Sequence, residues 1–508
     1  MATSRTKNTV LNVLGGIAVK GSGFLTAFIT RTVFLYILGI EYAGVSSVFT
    51  NILTVLSFAE LGIGTAITYA LYKPIAANDA SQISKLMNAY RKIYTTIGIV
   101  IFLLGLCLIP FLDYVITTTP NIEDDLRIVY LLYLLNTAVS YFWVYKSTFL
   151  TATQKDYLVS KYKVIISIIK TVLECASLIV FRNFIVYLLF SMAGTFTQNV
   201  VIAKVAEREY PVLKQKTNVK LEPAEKKRLF EDTRALALYK VSGTVLNGTD
   251  SILVSSFFGT INAGILGNYN LITNQVYSFV MLAFTATSAS VGNLAATSDN
   301  EHQYSVFRCM LFICFWIYCF CATSLWTLLN PFMYVWQSGQ HMFSNAVVAL
   351  MIIEFYIRGM MSPVTQFRTS NGLFVHGKYR PLIMAIMNIV ISILLAKKIG
   401  ISGILLGTII SRVATQIWFD PWLIYKRVFQ KSVFLYLKEY TFFGVITVIC
   451  SYVTSNLLQS ICPEEGMLKL VIGIVLCLVV PNTIIILAFH RSKSFGFAIN
   501  LVKRMVKR

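Results

Sequence analysis

The sequence predicts an all-α protein that crosses a membrane many times. Of its 508 residues 56% are hydrophobic and only 13% are charged, and the mean hydropathy is +0.68. A soluble protein of ordinary composition has roughly 25% charged residues. The apolar residues form nearly continuous runs of about 20 residues or more, the length of a membrane-spanning helix. Continuous runs also argue against the alternating pattern of a membrane β-barrel.

About fourteen apolar runs follow one another along the chain, and we expect each to form a transmembrane helix. The predicted spans lie near residues 12–38, 43–70, 93–117, 126–152, 162–181, 183–206, 235–258, 264–292, 307–331, 343–369, 380–399, 402–425, 438–458 and 466–489. No small-residue cleavage site accompanies the first run, so we expect a retained helix and not a removable signal peptide.

The basic residues predict the orientation of these spans. The formal net charge is +21, and Lys and Arg concentrate in alternate loops and near both ends of the sequence. The loops between them, residues 121–125, 259–263 and 337–343, contain no Lys or Arg. Because basic loops stay on the cytoplasmic side, we expect both termini to be cytoplasmic, with Lys397 and Lys398 as the main exception. The charge is thus explained by topology, and no nucleic-acid partner is expected.

The two halves of the chain resemble each other. Three segment pairs match at a roughly constant offset: 41–55 with 261–275, 76–79 with 295–299, and 151–163 with 369–380. The first pair places Ala43-Gly44 over Ala263-Gly264. We therefore predict two parallel six-helix repeats, an arrangement found in transporters with a substrate site between the lobes. The predicted parts are an N-lobe (1–206), a cytoplasmic linker (207–234), a C-lobe (235–430) and two further helices with a basic tail (431–508).

Charged side chains inside the apolar runs are the candidate functional residues. A charge near the middle of a membrane costs about 2.5–3.5 kcal/mol or more unless it faces a polar interior. We therefore expect these cations to line a water-accessible cavity. The candidate substrate-binding cations are Arg31, Lys20, Arg358, Arg412 and Lys146. The candidates for H⁺ or Na⁺ coupling are Asp250, Glu60 and Glu354.

Each of these residues also has a purely structural alternative. Arg31 can pair with Glu60, Lys20 can reach towards the headgroups, and Glu354 and Arg358 can neutralise each other at i,i+4 spacing. The pair formed by Lys170 and Glu174 has the same spacing, and for it we favour neutralisation. Arg412, Gln416 and Asp420 follow at four-residue intervals, which predicts a polar stripe along one helix face.

The sequence lacks the common catalytic and metal-binding patterns. It has no Gly-Lys-Ser/Thr phosphate loop, and its four histidines lack ligand spacing. Eight of the nine cysteines lie in or beside apolar runs, where thiols usually serve packing. We therefore expect neither an enzyme nor a bound cofactor, apart from a coupling ion.

Residues 31–94 resemble the N-terminal signature of a transporter family. The matching features are Arg31, the pattern LG-x-x-x-x-G at 38–44 and the sequence ELGIGTA at Glu60–Ala66. This stretch is similar to that of the Wzx-type lipid-linked oligosaccharide flippases, members of the multidrug/oligosaccharidyl-lipid/polysaccharide (MOP) exporter superfamily. The second half of the chain agrees with the family in topology.

The resemblance implies a function and a location. Flippases of this type move polyprenyl-diphosphate-linked oligosaccharides from the cytoplasmic to the outer leaflet of the bacterial inner membrane by alternating access. The oligosaccharides that they move are units of O-antigen, capsule or exopolysaccharide. The implied partners are therefore membrane lipids, a polysaccharide polymerase and export machinery. The cations within the spans agree with this substrate, because the planar fork of Arg suits phosphate oxygens.

Three other functions stay open at the level of sequence. An ion-coupled multidrug/cation antiporter of the same superfamily would have a cavity dominated by carboxylates and aromatic rings. A lipid II flippase would share nearly all the features above. A membrane polysaccharide polymerase would need a long external loop with catalytic residues, and the loops here are short.

Overall fold

The computed structural model describes residues 2–57, 63–116, 120–214, 248–373, 376–377, 379–492 and 495–496. These residues form helices joined by short turns, and no β-strand occurs among them. The predicted all-α class is therefore confirmed for the part of the chain that is described.

The chain divides into two compact units, and the first comprises Met1–Gly267. Its helices are α1 (Ala2–Leu56), α2 (Ile63–Ala76), α3 (Ala80–Leu108), α4 (Leu112–Val115), α5 (Leu126–Ala152), α6 (Asp156–Phe181), α7 (Phe184–Glu209) and α8 (residues 248–258), followed by the start of α9 (Thr260–Ala286).

The second unit comprises Asn268–Arg508. After the rest of α9 its helices are α10 (Ser288–Thr297), α11 (Asn300–Trp336), α12 (Asn345–Met360), α13 (Ser362–Ser370), α14 (Arg380–Ile399), α15 (Ile401–Arg412), α16 (Phe419–Ile424), α17 (Phe434–Ile461) and α18 (Met467–Phe489). The π-helical turns Val413–Ile417 and Tyr425–Phe429 flank α16. The predicted four-part division runs through residues 215–247, which lie outside the described chain, and stays a prediction.

Helix α1 consists of two helices joined at a break. Its 55 residues would extend for about 80 Å if straight, whereas the apolar core of a bilayer is about 30 Å thick. Gly39 interrupts the helix with φ 88° and ψ −179°. This conformation is open to glycine and strained for other residues. The break falls where the sequence predicts the boundary between the first two spans.

The described part of the chain contains eleven helices long and apolar enough to cross a membrane, or twelve if α9 and α10 form one broken span. Both halves of α1 count as one helix in this number. These helices make the protein a multi-pass membrane protein. Much of the predicted seventh span, 235–258, is not described, so fourteen spans and cytoplasmic termini stay predictions.

Short acidic or amide side chains begin several of the long helices. Asp79 accepts a hydrogen bond from the backbone N–H of Gln82 at 2.9 Å, and Asp299 accepts one from His302 at 3.1 Å. Asn183 does the same for Val186 at 3.0 Å. Each bond satisfies one of the backbone donors that a helix start leaves unpaired. The polar turns between the apolar runs therefore set where the helices begin.

Small and polar residues join α14 to α15. The side-chain amide of Asn388 donates to the Thr408 hydroxyl at 2.7 Å, and the Ser392 hydroxyl donates to the carbonyl of Ile404 at 3.0 Å. A Cβ added at Gly407 would lie 2.4 Å from the Ser392 Oγ, so the two helices touch where that side chain is absent. Such small-residue contacts are typical of helix packing inside membranes.

A buried ion cluster holds the middle of the second unit together. Asp420 is 1% exposed and binds Arg368 at 2.7 Å and Arg380 at 3.2 Å. The Arg368 guanidinium also donates to the carbonyl of His376 at 2.7 Å. The cluster therefore ties α13, the turn after it, α14 and α16 to one carboxylate.

The position of Asp420 differs from the predicted polar stripe with Arg412 and Gln416. The π-helical turn Val413–Ile417 separates Arg412 from Asp420 and contains Gln416. A π-turn takes more residues than an α-turn, so eight residues no longer return to the same face. Arg412 and Asp420 consequently belong to different ion clusters.

We expect Asp420→Asn to destabilise the protein by about 3–5 kcal/mol, because it leaves two buried guanidinium groups without their carboxylate. Thermal unfolding in detergent measures the effect. The control is Glu301→Gln, whose carboxylate binds Lys431 at a site where Glu301 is 72% exposed, and its effect should stay below about 1 kcal/mol. Equal melting temperatures for the two variants would show that the buried cluster does not hold these helices.

Candidate functional site

Arg31 lies in the first half of α1, eight residues before the break at Gly39. Its guanidinium donates to the carbonyls of Ala43 (3.4 Å) and Gly264 (3.2 Å), and to the Ser47 hydroxyl (3.4 Å). These described contacts are all to neutral oxygens. Glu60, the carboxylate with which the sequence allows Arg31 to pair, lies outside the described residues.

The two matching Ala-Gly dipeptides of the sequence repeat pack against each other beside Arg31. A Cβ added at Gly44 would lie 2.0 Å from the carbonyl oxygen of Thr260, and one added at Gly264 would lie 2.9 Å from the backbone nitrogen of Gly44. Only glycine allows this approach of α1 to the start of α9. The approach brings the Gly264 carbonyl within reach of the Arg31 guanidinium.

A second charged group of the first unit lies between α1, α6 and α7. Glu174 is 5% exposed and lies 3.7 Å from the Lys170 ammonium. The Thr30 hydroxyl donates to Glu174 at 3.5 Å, and Lys170 donates to the Thr195 hydroxyl at 3.0 Å. Since Thr30 directly precedes Arg31, we treat Arg31, Lys170 and Glu174 together as the N-cluster. It contains two cations and one carboxylate.

The second unit contains a comparable group, the C-cluster, formed by Glu354 and Arg358 of α12 with Arg412 of α15. Glu354 binds Arg412 at 3.0 Å and Arg358 at 3.8 Å. All three side chains are less than one fifth exposed, at 17%, 12% and 9% for Glu354, Arg358 and Arg412. Again two cations share one carboxylate.

Neutral groups complete the surroundings of the C-cluster. The Arg358 guanidinium donates to the side-chain oxygen of Asn274 at 3.0 Å and lies 4.0 Å from the ring centre of Tyr277. Arg412 donates to Gln416 at 3.5 Å. The Nε atoms of both arginines are buried and form no hydrogen bond to a described residue, although the Arg358 Nε lies 3.8 Å from a Glu354 oxygen. Hydrogen-bonding capacity for an anion therefore remains at both guanidinium groups.

The other predicted site residues lie elsewhere. Lys20 is exposed on α1, eleven residues and about 16 Å before Arg31. Lys146 forms an ion pair with Glu207 of α7. On the same helix, α5, Tyr133 lies thirteen residues or about 20 Å before Lys146, and its hydroxyl donates to Ser46 at 2.7 Å. Asp250 is half-buried in α8. Roles for these residues and for Glu60 stay predictions.

Sequence reasoning did not find Asn274 or Tyr277. The structure contains the ion pair of Lys170 with Glu174 that their i,i+4 spacing favoured, and it adds Thr30 and Thr195 as partners. Tyr277 is one of 27 tyrosines, and nothing in its neighbourhood along the chain links it to Arg358. Within the described residues, no group of His, Cys, Asp and Glu has an arrangement suited to a metal ion.

Comparison with known proteins shows the fold. No protein-family model matches the sequence, and no curated protein matches it. Among solved structures the chain is similar to the lipid II flippase MurJ in an inward closed conformation, with TM-score 0.71 and 14% identity over 94% of this chain and 99% of that one.

Two MATE transporters show the same likeness. The MATE multidrug transporter DinF-BH matches with TM-score 0.60 and 14% identity over 83% of this chain and 97% of that one. The MATE transporter VcmN of Vibrio cholerae matches with TM-score 0.59 and 13% identity over 85% and 99%. The chain therefore has the fold that these transporters of the MOP superfamily share.

We expect Gly44→Ala to lower the melting temperature and the transport rate, because its Cβ would overlap the backbone of Thr260 and push Gly264 away from Arg31. The matched control is Gly23→Ala in the same helix, where an added Cβ meets nothing within 4 Å. That variant should be neutral or slightly stabilising, since Ala favours a helix over Gly by about 1 kcal/mol. Identical behaviour of the two variants would rule out the close contact of α1 with α9.

Proposed function

We propose that this protein is a flippase that moves polyprenyl-diphosphate-linked oligosaccharide units from the cytoplasmic to the outer leaflet of a bacterial inner membrane by alternating access. The observation that favours this function is the C-cluster, in which two arginines share one carboxylate among the described residues. Charges within membrane spans are costly and are usually functional. An anionic diphosphate head would explain why cations outnumber carboxylates in the described C-cluster.

The chemistry of the C-cluster suits a diphosphate. Arg358 and Arg412 present planar forks of N–H donors, and their buried Nε atoms form no hydrogen bond to a described residue. Phosphate oxygens accept such bonds in pairs. Glu354 neutralises one arginine while the substrate is absent, which limits the cost of two buried cations. An arriving diphosphate would exchange with this carboxylate, and the exchange would be reversed when the substrate leaves.

Arg31 has a different environment, because backbone carbonyls and a hydroxyl hold it. We propose that it contacts the diphosphate head and that the break at Gly39 allows the two halves of α1 to move separately. Asp250, Glu60 and Glu354 are the proposed sites of H⁺ or Na⁺ coupling. Proposed partners are membrane lipids, a polysaccharide polymerase and export machinery.

A lipid II flippase is the second candidate, because the MurJ structure matches nearly the whole chain. Its substrate would present the same anionic head to the same cations. A multidrug/cation antiporter, suggested by the MATE structures, is less compatible with the C-cluster, where cations outnumber carboxylates among the described residues. Proteoliposomes separate the three functions when they are loaded with a polyprenyl-diphosphate oligosaccharide, with lipid II or with a rhodamine-type organic cation. Faster movement of the organic cation would refute both flippase proposals.

We expect Arg31→Gln to slow flipping of the polyprenyl-diphosphate oligosaccharide about ten- to hundredfold, the loss of one or two charge-assisted hydrogen bonds. Arg31→Lys should be intermediate, because it keeps the charge and loses the fork. Lys161→Gln, at an exposed position on α6, is the control for the change in net charge. Normal flipping by correctly inserted Arg31→Gln would exclude Arg31 from substrate binding.

If the C-cluster binds substrate, neutralising one of its arginines and neutralising its carboxylate should change substrate binding in opposite directions. Arg412→Gln should weaken binding of the substrate head, whereas Glu354→Gln should strengthen it several-fold and slow release, because both arginines lose their competing carboxylate. Binding of the polyprenyl-diphosphate oligosaccharide to the purified protein measures the first effect, and turnover in proteoliposomes measures the second. If both variants weaken binding equally, the cluster holds the helices together and does not bind substrate.

A further inference from the structure

A separate pocket lies at one end of the first unit, and it shares no residue with the N-cluster or the C-cluster. Its volume is about 160 Å³, and residues of α3, α5, α7 and the turn Pro211–Lys214 line it. A single water needs only about 10–15 Å³ of such space, so the pocket can hold a polyatomic ligand. Arg91, Lys146 and Lys214 supply three cations, and Glu207 supplies one carboxylate.

The charges of this pocket are only partly neutralised. Lys146 forms an ion pair with Glu207, and both side chains are mostly buried, at 12% and 25% exposed. In the described part of the chain neither Arg91 nor Lys214 forms an ion pair with a carboxylate, and both are exposed. The side chain of Asn88 adds an amide to the lining. One planar fork, two ammonium groups and an amide donor suit an anion with several oxygens.

The position of the pocket indicates where that anion comes from. Lys146 lies six residues, about 9 Å, before the end of α5, and Glu207 lies two residues before the end of α7. Arg91 and Lys92 precede the apolar part of α3. The headgroup layer adds about 5–7 Å to each side of the apolar core. This end also carries the Lys and Arg residues that predict the cytoplasmic side, where basic pockets between spans bind anionic lipid heads.

We propose that this pocket binds the phosphate of an anionic membrane lipid, as an accessory site distinct from the N-cluster and the C-cluster. Arg91 and Lys214 contact the phosphate oxygens, and Lys146 exchanges Glu207 for the lipid phosphate. The site joins the turn after α7 to α3 and α5. Bound lipid would thereby stabilise the end of the first unit.

The test is native mass spectrometry of the full chain in detergent with phosphatidylglycerol, with zwitterionic phosphatidylcholine as the reference lipid. We expect Arg91→Gln/Lys214→Gln to lower phosphatidylglycerol binding about tenfold or more, because two charge-assisted contacts are lost. The matched control is Lys161→Gln/Arg208→Gln, which removes one Lys and one Arg from exposed positions outside the pocket. The control should retain binding within about twofold.

Lys155 is a poor control because it already has a partner at this end of the unit. Its ammonium donates to Glu209 at 2.7 Å, and this hydrogen bond raises the pKa of Lys155. Lys155 also lies 4.9 Å from the ring centre of Tyr210. Its substitution would therefore disturb the fold as well as the charge.

A third variant distinguishes a ligand site from a structural ion pair. Glu207→Gln should strengthen phosphatidylglycerol binding several-fold, because it frees Lys146 and removes the repelling carboxylate. Weaker binding by Glu207→Gln, or equal losses in the two double variants, would overturn the proposal. Inorganic pyrophosphate tests the source of the anion. If pyrophosphate binds and phosphatidylglycerol does not, the ligand is a soluble phosphate compound and the lipid proposal is wrong.

Discussion

Charged side chains inside membrane-spanning helices need polar partners, and this requirement governs much of the structure. Arg31 meets it with backbone carbonyls and a hydroxyl, which are available because Gly44 and Gly264 let α1 and α9 approach closely. Arg358 and Arg412 meet it by sharing Glu354. Each of these charged side chains therefore depends on a neighbouring chain segment that supplies its polar partner.

The ion clusters of the second unit differ in burial and in what surrounds them. Asp420, Arg368 and Arg380 are almost fully enclosed and connect four pieces of chain, as a structural element would. The C-cluster is more exposed, and its Arg358 contacts an aromatic ring and the side-chain amide of Asn274. A π-helical turn separates the two clusters. Their difference supports a structural role for the first and a functional role for the second.

Breaks in regular helix supply the remaining element of the proposed mechanism. Gly39 interrupts α1 between Arg31 and the residues whose oxygens bind it, so the helix folds back on its own cation. The hydrogen bonds of Arg31 to Ala43 and Ser47 therefore connect the two halves of α1 across the break at Gly39. The small residues that permit close packing thus also connect the charged sites to the positions of the helices.

The sequence by itself determined the class of protein, because apolar runs of spanning length and rare internal charges leave few alternatives. It also selected Arg31, Glu354, Arg358 and Arg412 as candidates, since each stands out against its apolar neighbours. It allowed the local pair of Glu354 with Arg358, but it could not add Arg412 to that pair. Arg412 reaches Glu354 from another helix, 58 residues away along the chain, and a π-turn places Asp420 in a different cluster. Partners distant in sequence depend on helix packing and register, and only the tertiary structure decides these.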